Sequence, residues 1–217
     1  VVKSISENAL KNNKKKTKLN QRKSRPQVAA GQAPAVILIG FMGAGKSSVG
    51  RALAEQLGWI FEDLDERIEQ REKQRVAEIF CSSGELGFRE AEQSALKELL
   101  ENLRGGPKRI IALGGGAFVQ ESNASLIQAA NIPTVFLDAE VDELWARCQR
   151  QSERQGIERP LLGSPEGFRK LYEERSPHYS RASLKQETGG KAVAEIAAEL
   201  IEALGLGKRP ARQGENK

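Results

Sequence analysis

Sulfur and aromatic side chains are scarce in this 217-residue chain, which holds two cysteines, one methionine, one histidine, two tyrosines and two tryptophans. Cys81 and Cys148 form no metal-ligand spacing and no disulfide framework, which excludes a stapled secreted scaffold. They suit a reducing compartment, with burial as filler the default for each. No apolar run approaches the ~18 residues needed to cross a bilayer, and no secretory apolar segment precedes residue 35. His178, the lone histidine, is assigned to packing or to the rim of a site rather than to proton transfer. Trp59 and Trp145 are assigned to core packing. Acidic residues are almost missing from one end: residues 1–34 carry nine Lys/Arg against Glu7 alone, a net of +8. The whole chain is only +5, so the remainder sums to −3. The sequence pI of about 9.2 therefore belongs to the tail. A nucleic-acid groove on the folded body would need the body to carry that charge.

What is present is organised around residues 35–57. Five apolar residues, Ala35 to Ile39, run into Gly40, and an amphipathic pattern follows Lys46, with Val49, Leu53 and Leu57 at four-residue steps. A short buried strand and then a helix are the expectation. Between them, Gly40–Phe41–Met42–Gly43–Ala44–Gly45–Lys46–Ser47 satisfies G-x-x-x-x-G-K-[ST] in full. Such a loop wraps a phosphate with backbone N–H groups, and the helix start adds its unpaired N–H groups and dipole. Lys46 can reach the outer phosphates, and the Ser47 hydroxyl can ligate Mg²⁺. The sequence predicts a nucleotide-binding P-loop.

Downstream, Trp59–Ile60–Phe61 reads as a second strand delivering Glu62–Asp63–Leu64–Asp65 at its carboxyl end, where open α/β sheets bind ligands. Alternation puts Asp63 and Asp65 on one side if the strand persists. Helices are expected at about 64–80 and 84–104, a third strand over Arg109–Leu113, and then Gly114–Gly115–Gly116, which allows close backbone approach. A helix over Asn123–Ala130, a strand over Thr134–Leu137 and a helix through Val141–Cys148 follow. A polar stretch at about 149–163 suits a mobile lid. A helix ending at Ser176–Pro177, a strand over Ser183–Thr188 and a helix stopped by Gly205 complete the pattern. The order predicts an α/β, three-layer α/β/α P-loop fold with a five-stranded parallel sheet, a small substrate-binding helical segment at about 64–104 and the lid. Residues 1–34 are expected to be a disordered basic extension, 35–206 one catalytic domain, and 207–217 a flexible tail.

GFMGAGKSSVGRALA, DLDERIE, VAEIF-x₃-GE-x₂-FREAE, GGGA, RPLL and ERSPHY occur in this order. Together they resemble shikimate kinase, a member of the nucleoside-monophosphate-kinase-like P-loop group, over residues 35–206. The resemblance implies transfer of the ATP γ-phosphoryl group to the 3-hydroxyl of shikimate, on the route to chorismate and aromatic amino acids. It implies Mg²⁺ as cofactor, shikimate and ATP as partners, a monomer in the cytoplasm, and neither membrane nor nucleic acid as a partner of the core.

Residue by residue, the resemblance gives Gly43, Ala44, Gly45, Lys46, Ser47 and Ser48 to the nucleotide phosphates and Arg147 to the adenine. Ser47 and Asp63 go to Mg²⁺. Lys46 and Arg159 flank the transferred group, with Arg159 riding on the lid. Asp65 grips the ring hydroxyls and is the candidate base. Arg89 and Arg175 clamp the carboxylate, as guanidinium forks can, and Gly115 and Gly116 offer backbone N–H groups. Four features depart from the pattern: Ser48 where Thr is common, a longer lid, Thr188–Gly189–Gly190–Lys191 where an arginine is frequent, and Gln74–Arg75 in place of a Ser/Thr helix cap. Three other readings are a P-loop kinase acting on gluconate or a nucleoside monophosphate, a kinase-like protein that binds nucleotide or a partner without turnover, and nucleic-acid binding through the basic tail alongside kinase activity.

Overall fold

The computed structural model describes residues 33–155 and 163–207. Five strands form one parallel sheet: β1 (Ala35–Ile39), β2 (Ile60–Asp63), β3 (Arg109–Ala112), β4 (Thr134–Asp138) and β5 (Leu184–Glu187). Their spatial order is β2-β3-β1-β4-β5. The apolar run of β1 is explained by its place, because it pairs with β3 and β4 and is buried along its whole length. Sequential strands leave β1 in opposite directions across the sheet, so a crevice opens beyond its carboxyl end, and the P-loop occupies it.

The helices are α1 (Lys46–Leu57), α2 (Leu64–Glu72), α3 (Val76–Glu101), α4 (Glu121–Ala130), α5 (Val141–Gln155), α6 (Pro165–Tyr179) and α7 (Val193–Ala203). They complete the three-layer architecture expected from the sequence. α1 packs on α7 and on β3, while α2 and α4 pack on α3. No helix among the described residues is long and apolar enough to cross a membrane.

Several boundaries differ from the sequence expectation. β2 does not persist through Asp65: it ends at Asp63, whose side chain accepts the Asp65 N–H at 3.0 Å and caps α2. The alternation argument for Asp63 and Asp65 therefore fails, and a helix cap holds them together instead. The helix expected over 64–80 breaks at Lys73, which adopts the left-handed conformation at φ 55°. The chain restarts at Val76 because two carboxylates take up its free N–H groups. Glu78 accepts from the Arg75 N–H at 2.8 Å, and Glu69 accepts from the Val76 N–H at 2.9 Å. These replace the missing Ser/Thr cap. The break expected between 80 and 84 is a kink inside α3 at Gly84, where φ 67° and ψ −172° suit glycine alone.

Two helices run longer than their patterns suggested. α5 reaches Gln155, so the first part of the predicted lid is helical. Residues 156–162, with Arg159 among them, lie outside the described residues. α6 passes through Pro177 to Tyr179. Tyr179 is buried against the core, and that burial outweighs one lost backbone hydrogen bond. At the amino end, Ala33 is buried and the Pro34 carbonyl accepts the Arg109 N–H at 3.1 Å, so the body begins before residue 35. Residues 1–32 and 208–217 lie outside the described residues. Cys148 is buried as expected, but Cys81 is exposed on the first part of α3.

α1 approaches the sheet through Gly50, where an added Cβ would lie 2.4 Å from the Phe61 ring and 3.3 Å from Leu38. Gly50→Val is expected to lose about 1–3 kcal/mol of stability by overpacking. Urea unfolding followed by circular dichroism measures it, and an unchanged midpoint would contradict the close approach.

Candidate active site

The P-loop has no room for side chains at its turns. A Cβ at Gly40, where φ is 146°, would lie 2.4 Å from the Leu137 carbonyl, and one at Gly43 would lie 2.6 Å from that of Leu144. α1 begins after Gly45 with no side-chain cap, which leaves its first N–H groups facing a cleft of about 500 Å³. Residues Gly43 to Ser48 line that cleft, with Asp63, Asp65, Gly114, Gly115 and Arg147 around it. Lys46 Nζ folds over the loop, donating to the carbonyls of Gly40 and Phe41 at 3.0 Å each.

Three oxygen-bearing side chains meet beside it. The Ser47 hydroxyl donates to Asp63 Oδ2 at 2.7 Å, and the other Asp63 oxygen holds the Asp65 N–H. Asp65 has its pKa raised from 3.8 to about 6, first by burial and then by the Asp63 charge, with Lys46 acting the other way. Among the described residues no cluster of three or more His, Cys, Asp or Glu could hold a metal. Any Mg²⁺ here would rely on Ser47, Asp63, phosphate oxygens and water, a hard-oxygen set that suits an ion reluctant to shed its waters.

Across the cleft the three glycines after β3 form a floor. A Cβ at Gly114 would lie 2.6 Å from Asp65 Oδ1, one at Gly115 would lie 3.8 Å from the Arg175 guanidinium, and one at Gly116 would lie 2.8 Å from that of Arg89. Asp65, Arg89 and Arg175 thus converge from α2, α3 and α6 on one bare stretch of backbone. Arg89 is held by Glu92 at 3.0 Å and by Glu85 at 3.3 Å. Arg175 forms no ion pair among the described residues and lies over the Phe41 ring, 5.9 Å from its centroid.

Arg147 closes the far end. It donates to the Thr188 carbonyl at 2.8 Å and Thr188 Oγ1 at 3.1 Å, to the Gly43 carbonyl at 3.4 Å and to Glu143 at 2.6 Å. It thereby ties the β5–α7 loop to the P-loop. In that loop Lys191 also lines the cleft, bonded to Glu199 at 2.7 Å. His178 is half-buried, and Trp59 and Trp145 pack against the core.

Sequence reasoning missed Glu92, Asn123 and Glu143. Glu92 is 1% exposed, with its pKa raised by burial against the pull of Arg89, and Asn123 donates to it at 3.4 Å. Its spacing of three from Arg89 on a helix, like that of four between Glu143 and Arg147, is a legible ion-pair signal. Asn123 carries no such signal.

An uncapped phosphate loop with its lysine, a hydroxyl–carboxylate pair and a carboxylate facing two arginines define a P-loop kinase of a small anionic acceptor. The comparisons with known proteins give the family. The shikimate kinase family model matches residues 42–205. A shikimate kinase of Cereibacter sphaeroides is 40% identical over 186 residues, covering 84% of this chain and 88% of that protein. One from Brucella canis is 38% identical over 172 residues, covering 78% and 81%. Among solved structures, a shikimate kinase from Acinetobacter baumannii in complex with shikimate superposes with a TM-score of 0.71 at 33% identity, over 82% of this chain and 97% of that one. A gluconokinase from Sinorhizobium meliloti, at 20% identity and a TM-score of 0.51, shares the fold alone. The chain belongs to the shikimate kinase family, a family of ATP-dependent kinases.

The buried Asp65 carboxyl sets a pH dependence of stability. The folded protein keeps this proton to about pH 6, whereas the unfolded chain releases it near 3.8. Between those values the folded state binds more protons, so rising pH weakens the fold, and the loss is complete above about pH 6. Asp65→Asn is expected to melt above wild type at pH 7.5, with the margin shrinking at pH 4. Thermal melts at the two pH values measure this, and a lower melting temperature for D65N at pH 7.5 would contradict it.

Proposed function

We propose that this chain transfers the γ-phosphoryl group of ATP to the 3-hydroxyl of shikimate, giving shikimate 3-phosphate and ADP, as a cytoplasmic monomer. The observation that carries the reading is the convergence of Asp65, Arg89 and Arg175 on the Gly114–Gly116 floor, beside Lys46. A small ring acid with one carboxylate and several hydroxyls matches that polarity. Arg89 and Arg175 bind the carboxylate bidentately, Gly115 and Gly116 bring backbone against the ring, and Asp65 holds the reacting hydroxyl. A gluconate or nucleoside monophosphate acceptor has no comparable support.

Asp65 takes the proton from the attacking hydroxyl oxygen as that oxygen bonds to the γ-phosphorus and the bond to the ADP oxygen breaks. A pKa of about 6 leaves Asp65 ionised at neutral pH and close enough to its operating pH to serve as a base. Lys46 moves from the Gly40 and Phe41 carbonyls to the phosphates, and the α1 N–H groups with those of Gly43 to Ser48 hold the anion. Mg²⁺ bound through Ser47 and Asp63 would neutralise charge on the phosphates. The 2.7 Å contact between those two oxygens supports a shared ligand role. Arg147 braces the nucleotide base. Arg159, outside the described residues, keeps the role of second cation at the transferred group. Residues 1–32 and 208–217, outside the described residues, take no part in turnover.

Coupled ADP release with Mg-ATP tests this, with shikimate, gluconate and AMP as parallel acceptors. Turnover dependent on shikimate, and abolished by EDTA, is expected. Background rates with shikimate while nucleotide still binds would leave a nucleotide-binding protein. Arg89→Lys loses a bidentate charged contact worth about 1.5–3 kcal/mol, so the shikimate KM is expected to rise roughly ten- to hundredfold. The ATP KM should stay within about twofold, and an unchanged shikimate KM would remove Arg89 from the clamp.

A further inference from the structure

The ERSPHY motif contains a residue that the proposed chemistry does not use. Tyr179, the last residue of α6, is 1% exposed, and its ring lies 5.3 Å from that of Phe136 in β4. Its hydroxyl donates to the Gly115 carbonyl. The carbonyls of the glycine floor are otherwise taken locally. Gly114 O accepts the Ala117 N–H at 3.1 Å, and Gly116 O accepts the Val119 N–H at 3.2 Å, both within the tight turn that follows β3. Gly115 O instead turns toward α6 and receives the phenol.

Arg175 stands one turn before Tyr179 on the same helix, and its positive charge acts on the phenol. Its guanidinium also faces the Cβ position of Gly115 at 3.8 Å. The buried phenol therefore ties the Gly115 backbone to the last turn of the helix that carries Arg175. Burial pushes the phenol up to about 12, with Arg175 acting the other way, so the O–H remains a donor through the working pH range. The ring cannot drift, because the core packs it against β4.

We infer that Tyr179 is a positioning residue for the acceptor clamp: by fixing Gly115 against the last turn of α6, it sets the gap between Arg175 and the glycine floor into which the substrate carboxylate fits. The inference rests on the proposed role of Arg175. Without the hydroxyl, Gly115 O loses its donor and the floor is no longer held at a set distance from Arg175, while the nucleotide loop keeps its own hydrogen bonds. The effect falls on the acceptor and spares ATP.

The test is steady-state kinetics and melting of Tyr179→Phe, Arg175→Ala and the double variant, with shikimate and Mg-ATP varied separately. Y179F is expected to raise the shikimate KM about tenfold, the size of one lost buried hydrogen bond. Its ATP KM and kcat should stay within twofold, and its melting temperature within a few degrees. In the R175A background, Y179F should change the shikimate KM less than twofold further. An unchanged shikimate KM in Y179F, or the same factor with and without Arg175, overturns the inference while leaving the clamp intact. An unchanged shikimate KM in R175A overturns the clamp and this inference with it. A second measurement needs no variant at Tyr179. The chain has two tyrosines, Tyr172 and Tyr179, so 3-fluorotyrosine labelling gives two ¹⁹F signals that Tyr172→Phe assigns. Shikimate alone should shift the Tyr179 signal more than Mg-ATP alone, and the reverse order overturns the inference.

Discussion

The candidate site depends on backbone that carries no side chains. Asp65, Arg89 and Arg175 come from three helices, and each reaches the strip Gly114–Gly116: a Cβ would clash with Asp65 at Gly114 and with Arg89 at Gly116, and would touch Arg175 at Gly115. That strip stays in place because β3 ends inside a parallel sheet, paired on both sides with β1 and β2, and because its carbonyls are tied to a local turn and to Tyr179. Charged side chains of both signs can then gather around one small volume. A lone buried charge would be costly, but here Arg89 leans on Glu92 and Asp65 faces Lys46.

Two ends of the cleft are built on different terms. At the phosphate end the protein supplies donors that need no side chain: loop and helix N–H groups, set by glycines packed against the carbonyls of Leu137 and Leu144. At the proposed acceptor end it supplies charged side chains, with Arg89 braced by Glu92 and the backbone beneath held by Tyr179. The first arrangement suits any phosphate chain, and the second, under the proposed function, is where acceptors are told apart. Phe41 lies at the junction, its carbonyl under Lys46 and its ring against Phe168, Tyr172 and Arg175. The asymmetry explains why the phosphate loop is visible as a short motif, whereas the acceptor site required residues from Asp65 to Arg175.

Where sequence reasoning went astray, a local rule met a side-chain contact it could not see. Strand alternation for Asp63 and Asp65 gave way to a helix cap that begins at Asp63 itself. The Pro177 signal for a helix end gave way to burial of Tyr179 two residues later. The missing cap before Val76 was supplied by Glu69 from the preceding helix, which no local pattern marks. In each case a tertiary contact or a single hydrogen bond outweighed a propensity worth about a kilocalorie per mole or a few.

From the sequence alone came the strand–loop–helix around Lys46, the five strands, the glycine run and the ordered motifs that carry the family resemblance. All of these are local, because periodicity and glycine spacing act within a few residues. Tertiary structure alone decided that Gly114, Gly115 and Gly116 lie under Asp65, Arg175 and Arg89 in turn, that Asn123 bonds Glu92 from another helix, and that Tyr179 holds the floor. These contacts cross as many as 64 positions of sequence. They exist because packing α6 against the sheet brings its last turn onto the loop after β3, an arrangement set by core burial rather than by any residue's neighbours in the chain.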